Sequence, residues 1–99
     1  MAKEIPENQI HVIDVEFLHD LIGKDLTVHY VQHGTVKTGA TISGGAKGET
    51  GRFQTDLASA DVTAGVWDLE IVSDDGSVKR AVEIRGEEQI NVGDAETID

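Results

Sequence analysis

The 99-residue chain contains no cysteine and only one proline. Without cysteine, disulfide bonds, thiolate metal ligands and thiol nucleophiles are excluded, so packing and hydrogen bonds must hold the fold. No apolar run approaches the roughly 20 residues that span a bilayer, and no basic segment leads into a shorter apolar run near the start. We therefore expect a soluble protein made in a reducing cytosol, without export or membrane insertion.

Basic residues are also scarce, since eight Lys and Arg stand against 19 Asp and Glu, for a net charge of -11. Residues 1–50 contribute -3 (seven acids, four bases) and residues 51–99 contribute -8 (twelve acids, four bases). Such a chain repels phosphate backbones and anionic lipid, which argues against binding nucleic acid or a membrane surface. Two interpretations stay open: a solvated acidic surface that favours solubility, or a surface for a specific basic partner.

No long segment repeats apolar residues at helical spacing, whereas several stretches alternate apolar and polar residues as strands do. The residues predicted to share one face of their strand are His11, Ile13, Val15 and Phe17 in IHVIDVEF; Leu26, Val28 and Tyr30 in DLTVHYVQ, with His29 and Val31 on the other face; Val36, Thr38, Ala40 and Ile42 in TVKTGATI; and Phe53, Thr55 and Leu57 in RFQTDL. Gln32-His33-Gly34 predicts a turn between the second and third of these strands.

The only tryptophan, Trp67, lies in a predicted hairpin. Trp67, Leu69 and Ile71 alternate with polar residues, and Asp75-Gly76 tolerates the positive φ of a tight turn. The predicted return strand carries Val78, Val82 and Ile84 on one face, with Arg80 at a bulge or an edge. We expect Trp67 in a central strand with its ring in the core; the alternative is a surface aromatic that stacks on a sugar or a partner.

The spacing of these stretches predicts an all-β fold, a two-sheet sandwich of about seven antiparallel strands in a single domain over residues 1–99. The last strand, EEQINV, is predicted at an edge, where Glu87 and Glu88 discourage aggregation. Residues 1–7, which include Pro6, and the acidic residues 94–99 are predicted to be arms that order against a neighbour.

Four histidines, His11, His19, His29 and His33, fall in the first third of the chain. His29 and His33 share one face of an extended segment, but at strand rise they lie about 13 Å apart, too far to chelate one ion without a bend. A metal site would have to recruit His11 or an acid from a neighbouring strand. Asp74-Asp75-Gly76 is too short for a calcium loop and is typical of a turn.

Other candidate chemistry lacks its sequence context. The serines at positions 43, 59, 73 and 77 lie outside any nucleophile-elbow motif. Asp68 and Glu70 share a solvated strand face, where nothing in the sequence would give the two carboxyl groups the different pKa values that an acid and a base need. The glycine-rich stretch SGGAKGETG predicts a mobile surface loop. It does not predict a phosphate-binding loop, because Lys47 is not followed by the Ser or Thr that such a loop requires. We therefore predict no enzyme, no cofactor, and no catalytic, cofactor-binding or metal-binding residue.

Two stretches resemble a known class of module. TGRFQTDLASADVTAGVWDLEIVSDDGSVKRAVEI and KDLTVHYVQHGTVKTGATI are similar to the small Ig-like β-sandwich modules of bacteriophage virion proteins, such as upper baseplate, tail-fibre adaptor and capsid-decoration components. Transthyretin-like and carboxypeptidase-regulatory-like domains share the pattern. The resemblance covers about residues 24–92 and is carried by the Gly-x-aromatic-x-Leu strand and the Asp-Gly turn.

The resemblance implies a fold, a location and partners. The fold would be an Ig-like or transthyretin-like sandwich, and the protein would be a non-catalytic, homo-oligomeric part of a virion, synthesised in the host cytoplasm. Its partners would be copies of itself and other virion structural proteins, with no nucleic acid and no membrane. The alternative from another class is a carbohydrate- or protein-binding β-sandwich module of a larger adhesin or enzyme.

Overall fold

The computed structural model describes residues 4–74 and 84–94, which form eight strands and no helix. The strands are β1 (Glu4–Pro6), β2 (Ile10–Phe17), β3 (Asp25–Gln32), β4 (Thr35–Ser43), β5 (Thr50–Asp56), β6 (Gly65–Ser73), β7 (Ile84–Arg85) and β8 (Gln89–Gly93). Within these residues, no helix has the length and apolar character to cross a membrane. The all-β prediction is therefore confirmed.

The strands form two sheets whose inner faces share one hydrophobic core. The first sheet has five strands in the order β1-β8-β6-β3-β4, and the second has three in the order β5-β2-β7. All but one of the described pairings are antiparallel, and β1 runs parallel to β8. The core consists of Ile5, Ile13, Val15, Phe17, Leu21, Leu26, Val28, Tyr30, Phe53, Leu57, Val62, Trp67, Leu69, Ile71, Ile84, Ile90 and Val92.

Period-two alternation places the predicted residues of β2, β3, β5 and β6 in this core. Trp67 lies on β6, the central strand of the five-stranded sheet, and only 2% of it is exposed. Its indole Nε1–H donates a hydrogen bond to the Thr63 carbonyl oxygen at 2.8 Å, so the one polar atom of the buried ring is satisfied. The core interpretation of Trp67 is confirmed.

Strand β4 does not keep its predicted face. Thr27 pairs with Thr41 but His29 pairs with Thr38, so two residues of β4, Gly39 and Ala40, lie opposite the single residue Val28. The extra residue is a β-bulge, which reverses the side-chain alternation along the strand. Val36 and Thr38 are therefore exposed, and the prediction that they share the inner face with Ala40 and Ile42 is wrong.

Gly39 is required at this bulge by packing. A Cβ atom there would lie 2.8 Å from Val28 Cγ1 and 2.8 Å from Tyr30 Cε1. Such distances are shorter than van der Waals contact, so only glycine lets β4 approach the core here.

The N-terminal segment differs from the predicted arm. Glu4–Pro6 form β1 beside β8, and Ile5 is only 7% exposed. Ile5 joins the core, and β1 pairs with the outer side of β8. Because β8 therefore lies inside the sheet, the prediction that EEQINV is an edge strand is wrong. The edge is instead a three-residue strand that ends in Pro6, and both features discourage further pairing.

The return strand of the predicted hairpin also differs in its described part. Ile84–Arg85 pair with Glu16 and Phe17 of β2 in the three-stranded sheet, and Ile84 is 1% exposed. This pairing buries Ile84 in the shared core from the opposite sheet. The predicted turn at Asp75-Gly76, and Val78, Arg80 and Val82 of the return strand, lie outside the described residues, as do residues 95–99 of the predicted C-terminal arm.

The predicted turn between β3 and β4 is confirmed. His33 and Gly34 connect paired residues Gln32 and Thr35, with φ values of 47° and 82°. Two positive φ values in a two-residue loop are those of a type I′ turn, which suits the twist of a hairpin.

The glycine-rich loop is joined to the opposite loop by main-chain hydrogen bonds. The Gly44 N–H donates to the Lys24 carbonyl at 2.7 Å, and the Leu21 N–H donates to the Gly45 carbonyl at 2.8 Å. A Cβ atom at Gly44 would overlap the carbonyl oxygen of Leu21, so this glycine is required for close approach of the two loops.

A buried chain of polar side chains links the two sheets. The Tyr30 hydroxyl on β3 lies 2.8 Å from His11 Nδ1 on β2, and His11 Nε2 lies 3.0 Å from Glu87 Oε1 on the crossover between β7 and β8. Thr55 on β5 accepts a hydrogen bond from the Ala40 N–H of β4 at 3.0 Å. His11 and Tyr30 are both 0% exposed, so their contact lies inside the core, whereas the Glu87 side chain is 33% exposed and meets His11 at the margin of the core.

The acceptor chemistry fixes the direction of these hydrogen bonds. An ionised Glu87 carboxylate can only accept, so His11 Nε2 carries the proton and, in the neutral ring, Nδ1 accepts from the Tyr30 hydroxyl. The Tyr30 oxygen in turn accepts from the Thr55 hydroxyl. Each polar side-chain atom of this network thus has a partner, as buried polar groups require.

The Tyr30 hydroxyl provides a prediction about alkaline stability. Burial, the largest cause, and the nearby Glu87 charge raise the pKa of Tyr30, the Thr55 hydrogen bond lowers it, and the net result is a pKa of about 12. In the unfolded chain tyrosine ionises near pH 10, so the unfolded state loses its proton first. We expect full stability from this group below about pH 10 and a loss of about 2 to 3 kcal/mol as pH rises to about 12.

Urea unfolding between pH 8 and pH 12 measures this loss, with the Tyr30→Phe variant as the control for other groups that titrate there. The chain has a single tyrosine, so absorbance of tyrosinate reports its ionisation directly. Equal alkaline loss in both proteins would contradict the prediction.

Candidate functional site

All four aromatic side chains lie in the core. Phe17 and Trp67 are each 2% exposed, and Tyr30 and Phe53 are 0% exposed. Stacking on a sugar or a base requires an aromatic face open to solvent. The chain therefore has no aromatic platform for such a ligand.

The histidines predicted as possible metal ligands lie apart. His11 is in the core network, His29 is half-buried on the outside of the five-stranded sheet, and His19 and His33 are exposed in a loop and a turn. Over residues 4–74 and 84–94, no three histidine, aspartate or glutamate side chains come together in a way that could hold a metal ion. Asp74 instead extends the pairing of β6 with β3, because its N–H donates to the Asp25 carbonyl at 2.9 Å.

Ser59 and Ser73 are engaged in a turn or buried, and the surface grooves are small. Ser59 donates its hydroxyl to Asp56 at 3.1 Å in a turn, and Ser73 is buried at 6% exposure. Two surface grooves have volumes of about 200 Å³ and about 190 Å³. Both are smaller than the roughly 300 to 1,000 Å³ of ordinary ligand sites. The broad outer faces of the two sheets are therefore the candidate functional surfaces.

The outer face of the three-stranded sheet pairs two of its three acids with arginine, and we call it the balanced face: Ile10, Val12, Asp14, Glu16, Thr50, Arg52, Gln54, Asp56 and Arg85. Arg52 contacts Asp14 through two nitrogens, at 2.6 and 3.4 Å, and Arg85 lies 3.6 Å from Glu16. The hydrogen bond from Arg52 lowers the pKa of Asp14. Ile10 and Val12 beside these pairs are 59% and 44% exposed.

The outer face of the five-stranded sheet carries acids and no Lys or Arg from its described strands, and we call it the acidic face: Thr27, His29, Val31, Val36, Thr38, Val66, Asp68, Glu70, Val72, Gln89 and Asn91. Asp68 and Glu70 are exposed on the central strand. The single Lys or Arg within the five strands is Lys37, which has the opposite side-chain direction and pairs with Asp61 at 3.0 Å. Val36 and Val66 on it are 53% and 51% exposed.

No protein-family model matches this chain, and neither does any curated protein or solved structure. The resemblance to virion modules thus rests on the quoted sequence motifs.

The buried polar network and the contrast between the two faces were not predicted from the sequence. The network had a signal, since His11 and Tyr30 stand at apolar-facing positions of alternating strands. The contrast had none, because Asp14 and Arg52 are 38 residues apart and only the register of β2 with β5 brings them together.

Trp67 is the only tryptophan and therefore dominates the fluorescence of the protein. We expect emission at short wavelength and weak quenching by iodide in the native protein, with a red shift and strong quenching after unfolding in urea, since the ring leaves the core. Oligosaccharides should leave the native spectrum unchanged. A native tryptophan that iodide quenches as in the unfolded chain would contradict the buried position.

Proposed function

We propose that the chain is a non-catalytic structural component of a bacteriophage particle, a tail, baseplate or capsid-associated protein that acts through protein–protein contacts. The observation that carries the proposal is that two broad outer sheet faces of different charge are the main surfaces offered, whereas the aromatic residues are in the core. Broad sheet faces suit contacts with other proteins, whereas catalysis and small-ligand binding use concave sites.

The strand pairing supports the Ig-like form of the resemblance. In an immunoglobulin variable domain, strands G, F, C and C′ lie side by side in one sheet, and strands B and E pair in the other. The order β8-β6-β3-β4 and the pairing of β2 with β5 match this arrangement in both chain order and neighbours. The buried tryptophan is a departure, because Trp67 lies on β6, the counterpart of strand F, and the immunoglobulin tryptophan lies on strand C.

Self-association is assigned to the balanced face. Copies that meet there bring Asp14–Arg52 and Glu16–Arg85 pairs together and not acids alone, and Ile10 and Val12 provide apolar area to bury. Symmetric oligomers of identical chains form through such self-complementary surfaces. The carbohydrate-binding alternative is not developed as a second function, because no exposed aromatic side chain favours it.

Light scattering across a concentration series at physiological salt tests this function, together with two matched variants. We expect a discrete closed oligomer for the natural chain. Val12→Lys places a charge in the contact and should raise the dissociation constant by at least about tenfold, because an unpartnered charge is costly to bury. Val66→Lys, the same change on the acidic face, should leave the mass unaltered.

A monomer at every concentration would contradict the self-association. The particle assignment would be contradicted if mass spectrometry found the chain in lysates of infected cells but not in particles purified from them.

A further inference from the structure

We propose that the acidic face docks a different protein, whose contact surface carries lysine or arginine side chains around apolar ones. This inference rests on the proposed function and specifies the chemistry of the neighbouring subunit. The docking surface comprises the face defined above, with Asp68 and Glu70 at its centre.

The charge on this face favours a basic partner. Asp68 lies between Val31 of β3 and Gln89 of β8, and Glu70 lies beside His29 of β3. The only described polar contact of the Asp68 carboxylate is with the Gln89 amide at 3.2 Å, a neutral donor. Both carboxylates thus stay exposed and uncompensated by a described base, whereas their counterparts on the balanced face pair with arginine. A docking surface of this sign attracts a basic partner and speeds its association.

The apolar residues around the acids are the second argument. Val66 and Val72 lie on β6 before and after the two acids, and Val31 and Val36 pair across β3 and β4. Val36 and Val66 are about half exposed, at 53% and 51%. Apolar area next to charge of one sign is the composition of a contact surface, and not of a face that serves solubility alone.

The size of the face suits a protein partner. The face extends about 30 Å along the nine residues of β6 and about 14 Å across β4, β3, β6 and β8, the four strands that carry it, which is on the order of 400 Å². That area is about half of the roughly 800 Å² per partner of a standard interface, which suits a transient contact with another protein.

A second copy is not the occupant that the charges favour. Two acidic faces in contact would place Asp68 and Glu70 against the same residues of the other copy, and like charges in an interface cost several kcal/mol. A balanced face offers arginines that are already paired with Asp14 and Glu16. The partner is therefore a protein whose contact surface has basic residues that are not already paired with its own acids.

The experiment uses isotope-labelled full chain and a short synthetic peptide of lysine and leucine, titrated at low and at physiological salt. We expect chemical-shift changes at amides of β3, β6 and β8 around Asp68 and Glu70, and weaker binding at the higher salt because the contact is partly screened. A peptide of glutamate and leucine serves as the probe of opposite charge and should not bind.

Two charge-matched double variants separate this face from the total charge. Asp68→Asn with Glu70→Gln and Asp20→Asn with Asp94→Asn, two exposed acids outside both faces, each change the net charge from -11 to -9, since each removes two negative charges. The first pair should weaken peptide binding by about fivefold, as expected for two lost ion pairs at an exposed surface, and the second by less than about twofold.

A second matched pair tests the apolar part. Val36→Ser should weaken binding, whereas Ile22→Ser, which changes a side chain that is 66% exposed away from this face, should not. Equal effects of the two charge variants, shift changes on β2 and β5, or absence of binding by the natural chain would each overturn the inference. An oligomer seen by light scattering together with any of these results would leave the proposed function standing and remove only the docking face.

Discussion

The hydrogen-bonded chain from Thr55 through Tyr30 and His11 to Glu87 is the constraint on which the arrangement of the two sheets depends. Buried polar groups must keep their partners, because each one left without a partner costs about 1 to 3 kcal/mol. These four residues come from β5, β3, β2 and the crossover between β7 and β8. A shift of either sheet by one residue would separate them, so the network adds a directional constraint to the apolar packing between the sheets.

The outer faces follow from this inner register. Since side chains alternate along a strand, inward His11 places Asp14 outward, and inward Tyr30, through the pairing of β3 with β6, places Asp68 and Glu70 outward. The register of β2 with β5 then sets Asp14 beside Arg52. The balanced face and the acidic face are thus two consequences of one core arrangement. The proposed functions, self-association on one face and a basic neighbour on the other, depend on that sorting of charge.

The strands were predictable from sequence where local alternation dominates. In β2, β3, β5 and β6 the buried residues recur at every second position. The free energy gained by burying a side chain as large as Phe53 or Trp67 outweighs the weaker local preferences of the chain. The bulge at Gly39, the parallel pairing of Ile5 and the crossover of Ile84 to β2 were not predictable, because each depends on contacts between residues far apart in sequence. Alternation along β6 was enough to predict that Asp68 and Glu70 lie on a solvated face. The lack of a described Lys or Arg beside them could not be predicted, because it depends on which strands pair with β6.

A double-mutant cycle on His11 and Tyr30, measured by urea unfolding at neutral pH, tests the central constraint most directly. Tyr30→Phe and His11→Leu should each destabilise the fold by about 1 to 3 kcal/mol, because each leaves a buried partner unsatisfied. The double variant removes both polar groups, so its loss should fall short of the sum by at least about 1 kcal/mol. Losses that add to within about 0.5 kcal/mol would contradict the coupling and the role assigned to this network.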